Sequence, residues 1–110
     1  MANRLSVTSF NCKNFKSSVE DVKQLTATND IVMLQETWLT NTDLSLLSQV
    51  NEEFYAKGIS SMNPEDSILV GRPYGGLAIL WKKSLSNGFR IINHDSKRIL
   101  ALEVDIGSVK

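Results

Sequence analysis

Two stretches of the chain are apolar without a break, and both stop at polar or charged residues. Ile31-Val32-Met33-Leu34 ends at Gln35-Glu36, and Leu77-Ala78-Ile79-Leu80-Trp81 ends at Lys82-Lys83. Short uninterrupted runs of this kind, bounded by polar residues, predict strands buried on both faces, over 31–35 and 77–81. Near the N-terminus Leu5, Val7 and Ser9 alternate with Ser6, Thr8 and Phe10, which predicts a strand over 4–10. Asn11-Cys12-Lys13-Asn14 reads as a polar turn. Ser17-Ser18-Val19-Glu20 carries the Ser-x-x-Glu spacing of a capping box, and Phe15, Val19, Val22 and Leu25 then form one apolar stripe. A helix ending at Thr28 and Asn29 follows, so the first part of the chain is a strand–helix–strand unit.

Downstream, residues 40–51 predict a second, shorter helix, with Thr42 as candidate cap, Asp43 in the first turn and Leu44, Leu47 and Val50 as the buried stripe. Residues 54–59 read as a weak strand and 60–67 as a polar loop holding Pro64. Gly71-Arg72-Pro73-Tyr74-Gly75-Gly76 is a hinge before the second apolar run. Ser86-Asn87-Gly88 favours a tight turn between short strands at 89–92 and 98–106. In the latter, Leu100, Leu102, Val104 and Ile106 share one face and Ala101, Glu103 and Asp105 the other. Only Gly107-Ser108-Val109-Lys110 follows. The last strand is then an unpartnered edge, which predicts a domain cut short.

A chain of 110 residues holds one small domain. Its formal net charge of zero gives no global field for nucleic acid or acidic membrane, although local patches are not excluded. Cys12 is the only cysteine, so no internal disulfide can form. The sequence has no apolar signal-peptide core and no run long enough to span a bilayer, which makes a soluble intracellular protein the expectation.

Three clusters can carry chemistry. Asn11 closes the first strand, Glu36 stands at the C-terminal mouth of the second, and Gly75-Gly76 leads into the run 77–81. Ligand sites in open α/β sheets gather at the C-terminal ends of strands. A carboxylate there is costly to desolvate unless it is hydrogen-bonded, paired or bound to a cation. If strands 4–10 and 31–35 are parallel neighbours, Asn11 and Glu36 emerge at the same sheet edge. An amide beside a carboxylate offers oxygen to a hard cation such as Mg²⁺, which needs only one or two protein carboxylates. The alternative for Glu36 is a purely structural acceptor. Trp38, just past it, reads either as a core or lid aromatic or as a residue near the substrate.

In order and spacing, Ser9-Phe10-Asn11-Cys12, Leu34-Gln35-Glu36-Thr37-Trp38-Leu39 and Gly75-Gly76-Leu77-Ala78-Ile79-Leu80, with Arg98-Ile99-Leu100-Ala101-Leu102 behind them, resemble the endonuclease/exonuclease/phosphatase family, whose members include deoxyribonuclease I. The nearest likeness is to the endonuclease domains of non-LTR retrotransposons. The resemblance covers nearly the whole chain. It implies an α/β fold, half of a four-layer sandwich with mixed, largely antiparallel sheets. Residues 1–110 would be the N-terminal part of one such domain, truncated before its C-terminal catalytic motifs. The implied chemistry is phosphodiester hydrolysis with Mg²⁺, or Mn²⁺ as the alternative, that nicks DNA. By position, Glu36 matches the metal-binding glutamate and Asn11 the catalytic asparagine beside the metal and scissile phosphate. Arg98 falls near the phosphate-facing region, and Trp38 is the other candidate for substrate proximity.

Two departures stand out: Lys13 where some members carry Asp, and Asn14 where members often carry Gly. The Tyr-x-Pro-Asn, Gly-Asp-Phe-Asn and Ser-Asp-His segments of the family do not occur in this sequence. The isolated chain is therefore expected to be inactive. The implied partners are DNA, the absent half-domain and, in the retrotransposon setting, a following reverse transcriptase; that setting also implies a nuclear location. A family phosphatase or exonuclease is the chemical alternative. A truncated or domesticated fragment acting as a binding module is the non-enzymatic one.

Other tempting residues have plainer readings. His94 sits in the polar turn Asn93-His94-Asp95-Ser96, with no nucleophile elbow to serve. Cys12 reads as a small buried hydrophobe and Trp81 as core. Lys82-Lys83, with Arg72, suits a solvated strand end better than a phosphate site. The glycine hinge lacks the Gly-Lys-Ser/Thr ending of a nucleotide-binding loop.

Overall fold

The computed structural model describes residues 5–60 and 75–84, together with the backbone of 89–92 and 101–104. The chain is built outward from β2 (Ile31–Gln35), the apolar run that ends at Glu36. The strand β1 (Val7–Asn11) pairs with β2 in parallel, with Val7 opposite Ile31 and Asn11 opposite Gln35. The connection between them is α1 (Val19–Thr28). On the other side of β2 lies β4 (Leu77–Lys82), antiparallel, with Gln35 opposite Leu77. Next to it is β3 (Phe54–Ile59), also antiparallel, with Ile59 opposite Leu77. The four-stranded mixed sheet has the order β1-β2-β4-β3. A separate antiparallel pair joins β5 (Phe89–Ile92) to β6 (Ala101–Val104).

These elements match the predicted strands with small shifts. The first strand begins at Val7, where the prediction began it at residue 4, and runs to Asn11, one residue beyond the predicted end; β4 runs one residue further, to Lys82. The polar loop at 61–67, the hinge residues Gly71 to Tyr74 and the turn Ser86-Asn87-Gly88 lie outside the described residues, as do His94 and Arg98.

The two faces of the sheet bury different sets. Val32, Leu34, Ala78, Leu80 and Phe54 turn toward the helical side, where Cys12, Phe15, Val22, Leu39, Leu47 and Val50 complete one cluster. Ile31, Ile79 and Trp81 project from the opposite face, packed with Leu5 and Met33. This double burial is why both central strands read as continuous apolar runs.

Helical segments corrected two expectations. The capping box does not form. The N-cap of α1 is Ser18, which makes no side-chain cap bond; its hydroxyl instead donates to the Cys12 carbonyl at 2.9 Å. The Ser17 hydroxyl donates to the Asn14 carbonyl at 3.1 Å. Both serines thus tie down the turn that precedes the helix. The second predicted helix is a 3₁₀ segment, Asn41–Gln49, preceded by Thr40 and not capped by Thr42. Leu44, Leu47 and Val50 recur every third residue, which is the period of a 3₁₀ helix, so the tighter winding stacks them in one row. That row packs against β3 at Gly58, where a Cβ would run into the ends of Leu44 and Leu47. Asn, Thr and Ser at positions 41, 42, 45 and 48 also compete for backbone groups and weaken an α-helix.

At the end of the sheet away from Glu36, Asp30 joins three strands. Its Oδ2 accepts from the Ser6 backbone N–H at 2.9 Å, and its Oδ1 meets Lys82 Nζ at 3.2 Å. Its carbonyl accepts from the Lys82 N–H at 3.1 Å. The Ser6 N–H above all, helped by Lys82, holds the Asp30 carboxyl below the usual carboxylate range against a smaller opposing effect of burial. A depressed folded value contributes stability above the unfolded carboxylate pKa, and that stability is lost as pH falls through the folded value. Asp30→Asn, which removes the charge and turns one of the two acceptor oxygens into a donor, should cost about 1 kcal/mol at neutral pH. Its urea midpoint should converge on that of the parent as pH falls below the ordinary carboxylate pKa of about 4 and through the lower folded value. Midpoints separated by a constant amount across that range would show that the charge is not what stabilises.

Candidate active site at the mouth of the sheet

Because β1 and β2 run the same way and β4 runs against them, Asn11, Glu36 and the Gly75-Gly76 pair arrive at one end of the sheet. The end of β3 at Ile59 lies there as well. The β1–β2 ladder does not stop with the strands. Cys12 N–H donates to Gln35 O at 2.8 Å, Asn14 N–H to Glu36 O at 3.0 Å and Phe15 N–H to Thr37 O at 2.9 Å. On the other side, Thr37 N–H reaches Gly76 O at 3.3 Å and Trp38 N–H reaches Gly75 O at 2.8 Å. The turn Glu36-Thr37-Trp38 is therefore stitched to both neighbours.

Those stitches hold unusual backbone. Glu36 has φ 55° and Trp38 φ 59°, both left-handed, a conformation that costs a non-glycine residue roughly 1–2 kcal/mol. Lys13 (φ 47°) and Asn14 (φ 101°) are also at positive φ. A residue with a short polar side chain, or glycine, suits such a position, which gives a physical reason for Asn at 14. Asn14 Oδ1 accepts from the Lys16 N–H at 3.1 Å, closing the turn. Between the two left-handed residues Thr37 is fully buried, and its Oγ1 has no hydrogen-bond partner among the described residues. Gly76 (φ 98°) lies so close that a Cβ there would overlap the Thr37 hydroxyl.

The Glu36 side chain is half-buried, and its Oε1 accepts from the Trp38 indole Nε1–H at 3.0 Å. Among the described residues no Lys or Arg pairs with it. Asn11 is exposed, and its Oδ1 accepts from the Lys13 N–H at 3.2 Å. That bond assigns the amide oxygen to the turn and leaves the NH₂ as the donor side of the carboxamide. The oxygen keeps a second lone pair for the cation nest read from the sequence, and the NH₂ is free to donate to an anion. A hard cation fits this donor set. It would rest on one carboxylate not neutralised by any cationic side chain among the described residues, and would keep its other positions for water and phosphate oxygen. No group of three or more His, Cys, Asp or Glu residues able to hold a metal occurs among the described residues.

Of the other sequence candidates, Trp38 lies on Glu36, and Arg98 lies outside the described residues. Cys12 is buried and burial pushes its thiol up to about 11, so it stays protonated at neutral pH and is no nucleophile. Lys82 and Lys83 sit at the opposite end of the sheet. Lys82 pairs with Asp30, and Lys83 Nζ lies 5.3 Å from the Tyr55 ring centroid. The bond from Trp38 to Glu36 and the burial of Thr37 carried no signal in the sequence. Both arise from left-handed backbone at residues whose types do not favour it.

The chain belongs to the Endonuclease/Exonuclease/phosphatase family, whose model matches residues 8–104. Among solved structures, its fold is similar to the 3′ phosphatase NExo from Neisseria bound to product DNA hairpin (TM-score 0.60, 18% identity, 92% of this chain and 38% of that one). It is also similar to an AP endonuclease from Archaeoglobus fulgidus (TM-score 0.54, 19% identity, 71% of this chain and 27% of that one). A third likeness is to the 3′-5′ exonuclease NExo from Neisseria meningitidis (TM-score 0.50, 20% identity, 70% and 27%). The chain spans well under half the length of each of these proteins. No curated protein matches it. Among the described residues no helix is long and apolar enough to cross a membrane.

The packing of Gly76 against Thr37 predicts that Gly76→Ala destabilises the chain by about 2–4 kcal/mol, from the strained φ plus the overlap. Adding Thr37→Ala should recover the part due to the overlap. A double-mutant cycle by urea unfolding checks this, and strictly additive losses would show that the two residues do not press on each other.

Proposed function

We propose that this chain is the N-terminal part of a Mg²⁺-dependent endonuclease domain, of the type carried by non-LTR retrotransposons, which nicks DNA. The observation that carries the reading is Glu36, a carboxylate fixed at the mouth of a buried strand with no cationic side chain neutralising it among the described residues. The retrotransposon type rests on Ser9-Phe10-Asn11-Cys12 and Leu34-Gln35-Glu36-Thr37-Trp38-Leu39. DNA as substrate is supported by the family and by the DNA-acting proteins that share the fold.

In this reading Mg²⁺, or Mn²⁺ in its place, supplies positive charge to the scissile phosphate and acidifies bound water when present. Glu36 contributes the negative charge that holds the cation. Asn11 donates its amide N–H to a non-bridging phosphate oxygen, where charge builds as the bond from water to phosphorus forms and the bond to the leaving oxygen breaks. Nothing among the described residues is placed to orient the attacking water. The sequence lacks the Gly-Asp-Phe-Asn and Ser-Asp-His segments that carry this role in the family. The chain alone is accordingly inert, and Arg98 is assigned to the phosphate side of the completed site.

The test pairs two substitutions in a domain completed with the complementary segment of a relative. Glu36→Ala should lower the Mg²⁺-dependent nicking rate on the order of 10²–10³-fold while leaving the urea midpoint near that of the parent. Leu34, 1% exposed, anchors the same strand, and Leu34→Ala should cost about 2–5 kcal/mol of stability and reduce nicking only through unfolding. Should Glu36→Ala destabilise as much as Leu34→Ala while its folded fraction nicks normally, Glu36 is a structural acceptor and the metal assignment is wrong.

A further inference from the structure

We infer that Trp38 is a positioning residue for Glu36: its indole N–H fixes one carboxylate oxygen and leaves the other for the cation. The inference rests on the reading of Glu36 as a metal carboxylate. The bond runs from Trp38 Nε1 to Glu36 Oε1 at 3.0 Å, across a single intervening residue. The indole donor reaches back two residues across a turn in which Glu36 and Trp38 are both left-handed. The backbone fixes both ends of the bond. Glu36 is held through its carbonyl by the Asn14 N–H, and Trp38 through its own N–H by the Gly75 carbonyl.

The chemistry of the donor matters as much as its place. Lys or Arg in this position would neutralise the carboxylate and compete with a metal. Indole donates one hydrogen bond and does not ionise, so it brings no counter-charge to Glu36 while restricting its rotation. Oε2 makes no hydrogen bond among the described residues. Packing does not account for the aromatic ring, because Trp38 is half-buried and belongs to neither core cluster. Hydrogen-bond partners that orient a metal ligand typically change metal affinity by 10–100-fold when removed.

The experiment uses the chain labelled with ¹⁵N, with Mn²⁺ as the probe. Without metal, the Trp38 indole ¹H–¹⁵N resonance, assigned by its disappearance in Trp38→Phe, should shift and exchange faster with water in Glu36→Ala. An unchanged resonance overturns the inference whatever the metal does. Mn²⁺ binding measured by calorimetry should weaken by about 10–100-fold in Trp38→Phe, which keeps an aromatic ring but loses the donor. Trp38→His, which keeps a ring N–H, should recover part of the loss, with urea midpoints confirming that each variant is folded. Equal affinity in the parent and Trp38→Phe, with binding lost in Glu36→Gln, overturns the positioning role and leaves the metal site standing. Mn²⁺ binding that survives Glu36→Gln removes the metal site, and the inference with it.

Discussion

The structure depends on the parallel pairing of β1 with β2 and on its continuation past both strands. Parallel neighbours bring their C-terminal ends to the same side, so one register sets Asn11 beside Gln35 and delivers Glu36 to the mouth. Three further backbone bonds, from Cys12, Asn14 and Phe15, carry the ladder through Gln35, Glu36 and Thr37. They hold Glu36 at positive φ from one side, and the Gly75 carbonyl holds Trp38 from the other. The bonds on one side come from the turn after β1, and those on the other end at the glycines before β4. Every element of the four-stranded sheet except β3 therefore touches the turn that carries the carboxylate.

The two ends of this sheet show what a buried-strand carboxylate can be used for. Asp30 at one end is satisfied by a backbone N–H and Lys82 and serves to tie strands together. Glu36 at the other receives one uncharged donor and no ion pair among the described residues. Strain of roughly 1–2 kcal/mol at each left-handed residue accompanies that arrangement, and strain of this kind concentrates at functional sites.

Much of the fold was legible because burial writes itself into composition. The run Ile31 to Leu34, bounded by Asp30 and Gln35-Glu36, reads as a strand covered on both faces, and the bounds 31–35 emerged as read. The stripe of Val19 and Val22 likewise gave α1, and the parallel pairing expected of the first two strands is present. The short helix after β2 is present as read, but its 3₁₀ winding was not legible, because a spacing of three at Leu44, Leu47 and Val50 suits both helix types over so short a span. The capping box was misread because the N-cap is Ser18 and not Ser17, and both hydroxyls donate to carbonyls of the preceding turn, at Cys12 and Asn14. In the candidate site, residue types announced Asn11 and Glu36 but not their partners. The indole bond of Trp38, the assignment of the Asn11 oxygen to Lys13 and the burial of Thr37 all follow from φ values that these residue types do not advertise.

The account stands on the cation belonging to Glu36 and not to the other buried-strand acid. Paramagnetic broadening of backbone amides by Mn²⁺ in the ¹⁵N-labelled chain reads this directly. The predicted result is broadening centred on Cys12, Lys13, Thr37 and Gly76, with Ser6, Asp30 and Lys83 sharp at the far end of the sheet. Broadening centred on Asp30, or spread evenly along the chain, would contradict it.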